Sequence, residues 1–452
     1  MPPNTEKSFY SFDFSRLSGV MTGSSISTLA DHPSRYDLAG EMHARPFPAC
    51  AAPGHVFFLA LKPPKNAAAR DRTADRAHLI ALLDRFGAPH PKPGATHWFG
   101  DLGRHKLKWE CHTEFVTYTL FIDGLEQRAF DPAEYELLPT DWLAEAPGAR
   151  ISSALIRIET HEGEATPISE RLSAWFVPES VASARVLDDA AILAGDFRID
   201  TAGHMRFTMF VRPGHGMRRI GRIVQRLTEI EIYKTMALLG MQRARALDRQ
   251  MGEIDARLSG LMDDLAGESA PAEETLDRLL GISAELEGLL AGAEFRFGAT
   301  GAYEAIVHDR IAVLREARLD GRQTFSEFMM RRFDPAMRTV RATEARLRAM
   351  AERAARAGDL LRTRVDVARQ AQNQRLLESM DRRADLALRL QETVEGLSVV
   401  AISYYALNLA SYAVYPFLAP LGLSKGIATA LLLPVVVLGV FFMVRRIRKG
   451  VH

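Results

Sequence analysis

The sequence predicts an α+β cytoplasmic domain, then a long-helix (coiled-coil-like) stalk, then a C-terminal two-helix transmembrane hairpin. Three observations carry that expectation. Leu397 to Leu418 and Ile427 to Val444 are two apolar stretches separated by a short linker, and a bilayer span needs roughly 17–25 predominantly apolar residues. Between residue 216 and the first stretch, proline occurs only at 271 and 335, and Ala, Leu, Arg, Glu and Met dominate; all are good helix formers. Upstream of residue 213, short apolar runs and partial alternation read as strands mixed with helix.

Residues 1–30 are polar with Ser/Thr/Gly-rich tracts and read as a poorly ordered N-terminal segment. Residues 31–213 form the expected α+β domain. Within His55 to Lys62, the run Val56-Phe57-Phe58-Leu59-Ala60-Leu61 suits a buried strand, and residues 67–86 suit a helix. Lys106 to Ile122 alternates in part (Leu107, Trp109, Cys111, then Phe115, Thr117, Thr119), which suggests paired strands. Ile151 to Ile158 reads as another strand, and Asp196 to Val211 as a hairpin turning at Asp200-Thr201-Ala202-Gly203. A domain of about 180 residues holds its own core, and the pattern fits a largely antiparallel or mixed sheet.

Composition changes at Arg212-Pro213-Gly214-His215-Gly216, a basic helix opening without a phosphate-loop or dinucleotide glycine pattern, which reads as a hinge. The helical domain, 214–396, has expected breaks at Pro271 and at Gly298 to Gly301. Asp334-Pro335 reads as an N-cap with proline at the first helical position, so a new helix starts there. No proline follows until Pro416, so one helix runs into the first span, with Gly358 and Gly396 as weak points. Roughly 80 residues at 1.5 Å each measure on the order of 120 Å. So long a charged helix needs neighbours, either the 216–266 and 301–333 helices or copies of itself, and a homo-oligomer is expected. Arg338, Arg341, Arg346, Arg348, Arg353 and Arg356 read as solvated or salt-bridged, with anion or lipid binding as the other reading.

Charge places the body. Arg382, Arg383 and Arg389 precede the hairpin, 397–444, and the basic tail, 445–452, carries Arg445, Arg446, Arg448 and Lys449, whereas the connecting loop holds only Lys425. Both termini are therefore expected in the cytoplasm, at a bacterial inner membrane. No charged n-region followed by an apolar run opens the chain, so no signal peptide is expected. Two cysteines, Cys50 and Cys111, give no disulfide framework, as in a reducing compartment. A net charge of +1 argues against a dedicated nucleic-acid binder, local basic patches aside, and the lipid bilayer is the expected partner.

The first span is not uniformly apolar. Tyr404, Asn408, Ser411 and Tyr415 fall within about 60° of one another at 100° per residue and form one polar stripe. Polar groups in a bilayer seek protein or water. One reading is helix–helix bonding; the other is a pore wall shared among subunits. Neither span holds Asp, Glu, Lys or Arg, which argues against a proton relay and leaves hydrated-ion passage open.

In the soluble region, residues 31–48 concentrate functional side chains: His32, Arg35, Glu41, His43 and Arg45. Asp31 is placed to cap a helix opening near Pro33 and ended by Pro46, on which Glu41 and Arg45 have ion-pair spacing. The spacing matches no metal template, so any metal is unknown, and a tie between helix and sheet or a partner subunit is the alternative. No nucleophile with a recognisable base, nucleophile elbow or zinc pattern occurs; the chain reads as a non-enzyme.

Several stretches resemble an uncharacterised, domain-of-unknown-function family of predicted membrane-anchored bacterial proteins. They are His32-Pro33-x-Arg35 with Glu41-x-His43-Ala44-Arg45-Pro46-Phe47; Ile230-Glu231-Ile232-Tyr233-Lys234 with Met236-Ala237-Leu238-Leu239; Leu361-Arg362-Thr363-Arg364-Val365-Asp366; Gln372-Asn373-Gln374; Ser379-Met380-Asp381-Arg382-Arg383-Ala384; and Thr393-Val394-Glu395-Gly396 running on to Tyr404-Tyr405. The layout also resembles the CorA-type magnesium-transporter superfamily, pentameric channels in which span one lines the pore. That resemblance implies Tyr404, Asn408, Ser411 and Tyr415 at the pore, Arg445, Arg446, Arg448 and Lys449 as a basic ring at its cytoplasmic mouth, and a divalent cation as cargo. Where that family carries Gly-Met-Asn, this chain reads Tyr415-Pro416-Phe417, and its outer loop, Ala419 to Gly426, has no acidic residue.

Overall fold

Nine strands pair into one mixed sheet in the computed structural model, which describes residues 29, 31–41, 47–65, 67–162, 166–267, 271–418 and 424–450. The strands are β1 (Gly54–Lys62), β2 (His97–Leu102), β3 (His105–Cys111), β4 (Val116–Asp123), β5 (Ala149–Thr160), β6 (Ala182–Val186), β7 (Ala191–Ile199), β8 (Met205–Val211) and β9 (Ala317–Arg318). The helices are α1 (Arg35–Glu41), α2 (Arg72–Phe86), α3 (Pro132–Tyr135), α4 (Thr140–Ala144), α5 (Thr166–Trp175), α6 (Met217–Gly267), α7 (Ala272–Leu314), α8 (Phe325–Arg332), α9 (Asp334–Leu418) and α10 (Lys425–Gly450). The expectation for residues 1–30 lies outside the described residues, Leu29 apart.

Sheet order is β2-β3-β4-β1-β5-β8-β7-β6-β9. Two antiparallel halves meet at one parallel pair, β5 with β8. β1 sits mid-sheet, paired with β4 and β5, and both its faces are covered, which explains its unbroken apolar run. Phe57, Leu59 and Leu61 join Leu79, Leu82 and Leu83 of α2, Trp142 of α4 and Leu172 of α5 in one core. The alternate residues Val56, Phe58 and Ala60 are equally buried on the other face, where α6 lies: Ser152 of β5 donates to Glu231 at 3.1 Å.

By packing, the chain divides into two units: Met1–Glu253 with Glu287–Ala349, and Ile254–Leu286 with Met350–His452. The unit that holds the sheet thus includes long helix segments as well, because α6 contributes Ile220, Ile223, Val224, Leu227 and Ile230 to the buried interior. In this unit α7 runs antiparallel to α6, with Arg310 paired to Glu229 and Thr300 Oγ1 donating to the Ala237 carbonyl at 3.3 Å. Arg341 pairs with Glu304 of α7 at 2.5 Å and Arg346 with Asp248 of α6 at 3.3 Å.

In the second unit, Ile254, Leu258, Leu279, Ile282, Met350, Ala354, Ala357, Leu361 and Val365 are buried. Arg353 pairs with Asp255, and Arg369 with Glu273 at 3.0 Å. Beyond Val365, α9 is exposed on nearly every side as far as Val394, including Leu376, Leu377, Met380, Leu386, Leu388 and Leu390.

Several expectations need correction. The break expected at Gly298 to Gly301 does not occur; α7 passes through it, because packing against α6 outweighs a glycine cost of about 1 kcal/mol per residue. Helix therefore does not restart near 301, and residues 315–324 instead form a turn and the short β9 before α8. The helix expected over 67–86 is two pieces, a 3₁₀ turn at Ala67–Ala69 and α2, whose N-cap Asp71 accepts from Thr73 N at 2.8 Å. The new helix at Asp334 is present, but Phe333, the residue joining α8 to α9, itself stays in the right-handed helical region.

Candidate functional site

In α9, Ser403 and Ser411 are buried, and Ser411 Oγ lies 3.4 Å from Thr429 Oγ1 of α10. Small residues here let the helices approach, the usual device of membrane helix pairs. Tyr404 is 63% exposed, with its ring against Tyr405 at 5.6 Å. Asn408 is exposed and makes no side-chain hydrogen bond to a described residue. The stripe is therefore divided: Ser411 is used inside the hairpin, whereas Tyr404 and Asn408 face outward. The Tyr415 side chain lies outside the described residues. The outward face of α10 is apolar, with Leu431, Val435, Leu438 and Phe442 exposed. Arg445 and Arg446 are exposed on the last turns of α10, and the side chains of Arg448 and Lys449 lie outside the described residues.

The 31–48 motif does not assemble as expected. His32, not Asp31, serves the start of α1: its Nδ1 accepts from Ser34 N at 3.2 Å and its carbonyl from Arg35 N at 2.9 Å. Asp31 instead pairs with Arg35 and accepts from Tyr36 Oη at 2.8 Å. The Tyr36 hydrogen bond, then Arg35, hold the Asp31 carboxyl below its ordinary range. His43, Arg45 and Pro46 lie outside the described residues, as does the side chain of Glu41. Among the described residues, no group of three or more His, Cys, Asp or Glu is arranged to hold a metal ion.

A polar site that sequence reasoning did not single out lies between the sheet and α6. Lys108 of β3 stands opposite Thr119 of β4, and Glu110 opposite Thr117, so the four share one face. Lys108 Nζ donates to Gln225 Oε1 of α6 at 3.1 Å and pairs with Glu110 at 3.1 Å. Gln225 Nε2 donates to Glu229 at 2.8 Å, and Arg310 closes the chain on Glu229. These groups line a cleft of about 290 Å³, with His112 and Tyr233 also on its wall. The four charges are paired, so the cleft is a polar joint between sheet and helices. Charged residues at alternate positions of a strand with both faces covered were its signal.

Next to it, the β3–β4 turn is clamped from two sides. Arg70 pairs with Asp75 at 2.6 Å and donates to the carbonyls of His112 at 2.5 Å and Phe115 at 3.0 Å. Glu114 is fully buried; Arg296 of α7 grips it with both terminal nitrogens, and Tyr303 Oη donates to it at 3.0 Å. Burial, then the Glu114 charge, push the Tyr303 phenol above its ordinary range.

These features define a class: a mixed sheet followed in the chain by long helices, two of them long and apolar enough to cross a membrane. Residues 30–451 match the family described as "Protein of unknown function (DUF3422)", and the chain belongs to that family. No curated protein and no solved structure matches it.

Proposed function

We infer that this protein is a homo-oligomeric, non-enzymatic protein of the bacterial inner membrane, with both termini cytoplasmic and the α9 span around a polar path for small cations. The carrying observation is Asn408, an exposed amide in an apolar span with no side-chain hydrogen bond to a described residue. An amide in hydrocarbon needs a hydrogen-bond partner or water. The plain apolar face of α10 suits lipid, so a second copy of α9 is the group that answers Asn408.

The exposed part of α9 supports the same assembly. Asn373, Leu376, Met380, Arg383, Ala387, Leu390, Val394 and Leu397 recur at the three–four spacing of a helix seam, apolar except at Asn373 and Arg383, and its leucines, methionine and valine are exposed. Orientation rests on Arg382, Arg383, Arg389, Arg445, Arg446, Arg448 and Lys449 flanking the hairpin.

The test is flux of Mg²⁺ and Co²⁺ from liposomes holding the purified protein, beside empty vesicles. Flux above the control that Asn408→Leu reduces is the expected result, and flux equal to empty vesicles overturns conduction. The Ser411–Thr429 contact favours a second reading, since it satisfies one stripe hydroxyl within a single hairpin. That reading is a membrane-anchored scaffold or sensor for a cytoplasmic partner; a stable oligomer without flux selects it.

A further inference from the structure

On the sheet face opposite α6, a cleft of about 640 Å³ opens between the ends of β1 and β5, the 135–149 segment and the β7–β8 turn. Its size is that of a small-molecule site, and such sites combine apolar walls with a few placed polar groups. Phe57, Leu59 and Leu61 of β1 form the floor, and Leu138 and Leu143 stand on the wall. Arg150 and His204 also line it, with Glu136 at an exposed position.

The two polar groups are held by the turn. Asp200 Oδ1 accepts from Ala202 N and His204 N, both at 2.9 Å. Arg150 Nη1 donates to the Ala202 carbonyl at 3.2 Å. Gly203, at φ +89°, leaves room for the guanidinium, which a Cβ there would strike.

Ser153 fixes the His204 tautomer. Its Oγ donates its one proton to the Phe58 carbonyl at 2.8 Å, so at the 2.7 Å contact with His204 Nδ1 the imidazole donates. Neutral His204 therefore carries its lone pair on Nε2, which has no partner among the described residues. Burial, then the Arg150 charge, hold the imidazole below its ordinary range and so neutral.

One side chain therefore offers a cation, its neighbour a hydrogen-bond acceptor, and the floor is apolar. We propose that this cleft binds a small hydroxy acid with an apolar body, its carboxylate on Arg150, its hydroxyl donating to His204 Nε2 and its chain over Phe57, Leu59 and Leu61. The site is independent of conduction through the membrane.

The experiment is calorimetric titration of the full-length protein in lipid nanodiscs with 3-hydroxyoctanoate, octanoate and 1-octanol, corrected with empty nanodiscs. The hydroxy acid is expected to bind saturably, octanoate about tenfold more weakly, and the alcohol not at all. Arg150→Gln, at an exposed position, is expected to weaken the hydroxy acid about tenfold or more. Ala146→Trp, which fills the cleft from a half-buried position, is expected to abolish binding. Unchanged melting temperatures establish that both variants fold. Absence of saturable binding, or equal affinity in wild type and both variants, overturns the site. Octanoate binding as tightly as its hydroxy derivative overturns the hydroxy-acid assignment.

Discussion

Ser411 of α9 meets Thr429 of α10 hydroxyl to hydroxyl at 3.4 Å, while Asn408, three residues earlier on the same helix, is exposed. The hairpin and the proposed assembly therefore use neighbouring edges of one helix. Paired cysteines at Ser411 and Thr429 should crosslink within a chain, and a single cysteine at Asn408 between chains. Oxidation in native membranes followed by non-reducing electrophoresis separates the two outcomes. Background is low: Cys50 and Cys111 are buried, and burial pushes the Cys50 thiol up to about 12 and raises that of Cys111. A monomeric Asn408→Cys band beside a crosslinked hairpin would exclude α9–α9 contact at that level.

The Glu114–Arg296 pair is costly to break from one side. Glu114 is fully buried, with Arg296 and Tyr303 as its partners. Arg296→Met strands a carboxylate in the interior, and a loss of about 3–5 kcal/mol is expected. Glu114→Gln keeps the volume without the charge, and a smaller loss of about 1–3 kcal/mol is expected. Denaturant midpoints read by tryptophan fluorescence rank the two. All four tryptophans lie between residues 98 and 175, within the sheet-bearing unit. The reverse ranking would mean that the carboxylate is not confined as described.

How much of this was legible depends on whether a feature is local. β1 is readable because both its faces are covered and its residues run apolar without interruption. The turn at Asp200–Gly203 is readable because Asp and Gly make it from their own chemistry. β6 is hard to read because Ala182-Ser183-Ala184 carries little hydrophobic signal, and β9 because it has two residues. Arg150 and His204 meet only because β8 lies parallel beside β5, a pairing that no local pattern announces. Glu114 and Arg296 likewise come together only once α7 has returned along α6.

His78 links pH to stability. Its Nε2 donates to the Trp142 carbonyl at 3.0 Å, and its Nδ1 accepts from Tyr118 Oη at 2.9 Å. Burial holds it below the ordinary imidazole range, partly offset by the Trp142 carbonyl. The folded state therefore favours neutral His78, whereas the unfolded chain takes a proton near pH 6.5. Stability is intact above that pH and falls as pH drops from about 6.5 toward the folded value, by up to about 1.4 kcal/mol per pH unit per group. His105 and His204, only half-buried, are shifted the same way by burial and add smaller, solvent-screened contributions. His78→Gln should lose less stability than wild type between pH 7.5 and 5.5, read by denaturant midpoints. An identical loss would place the titration elsewhere.

Gly240 and Thr300 form a close approach of α6 to α7. A Cβ at Gly240 would lie well inside van der Waals contact of Thr300 Oγ1, and that hydroxyl is committed to the Ala237 carbonyl at 3.3 Å. The same contact helps α7 run unbroken through Gly298 and Gly301. Gly240→Ala alone should therefore destabilise, by about 1–3 kcal/mol as for other overpacked cores. In a Thr300→Ala background Oγ1 and Cγ2 are gone while the Cβ stays at 3.0 Å, so most of the obstruction is relieved and the helix preference for alanine over glycine, up to about 1 kcal/mol, offsets part of what remains. The substitution is thus expected to cost clearly less in the Thr300→Ala background than in wild type. A double-mutant cycle measured by chemical denaturation reads that coupling directly. Equal effects in both backgrounds would mean that the helices do not meet at this pair.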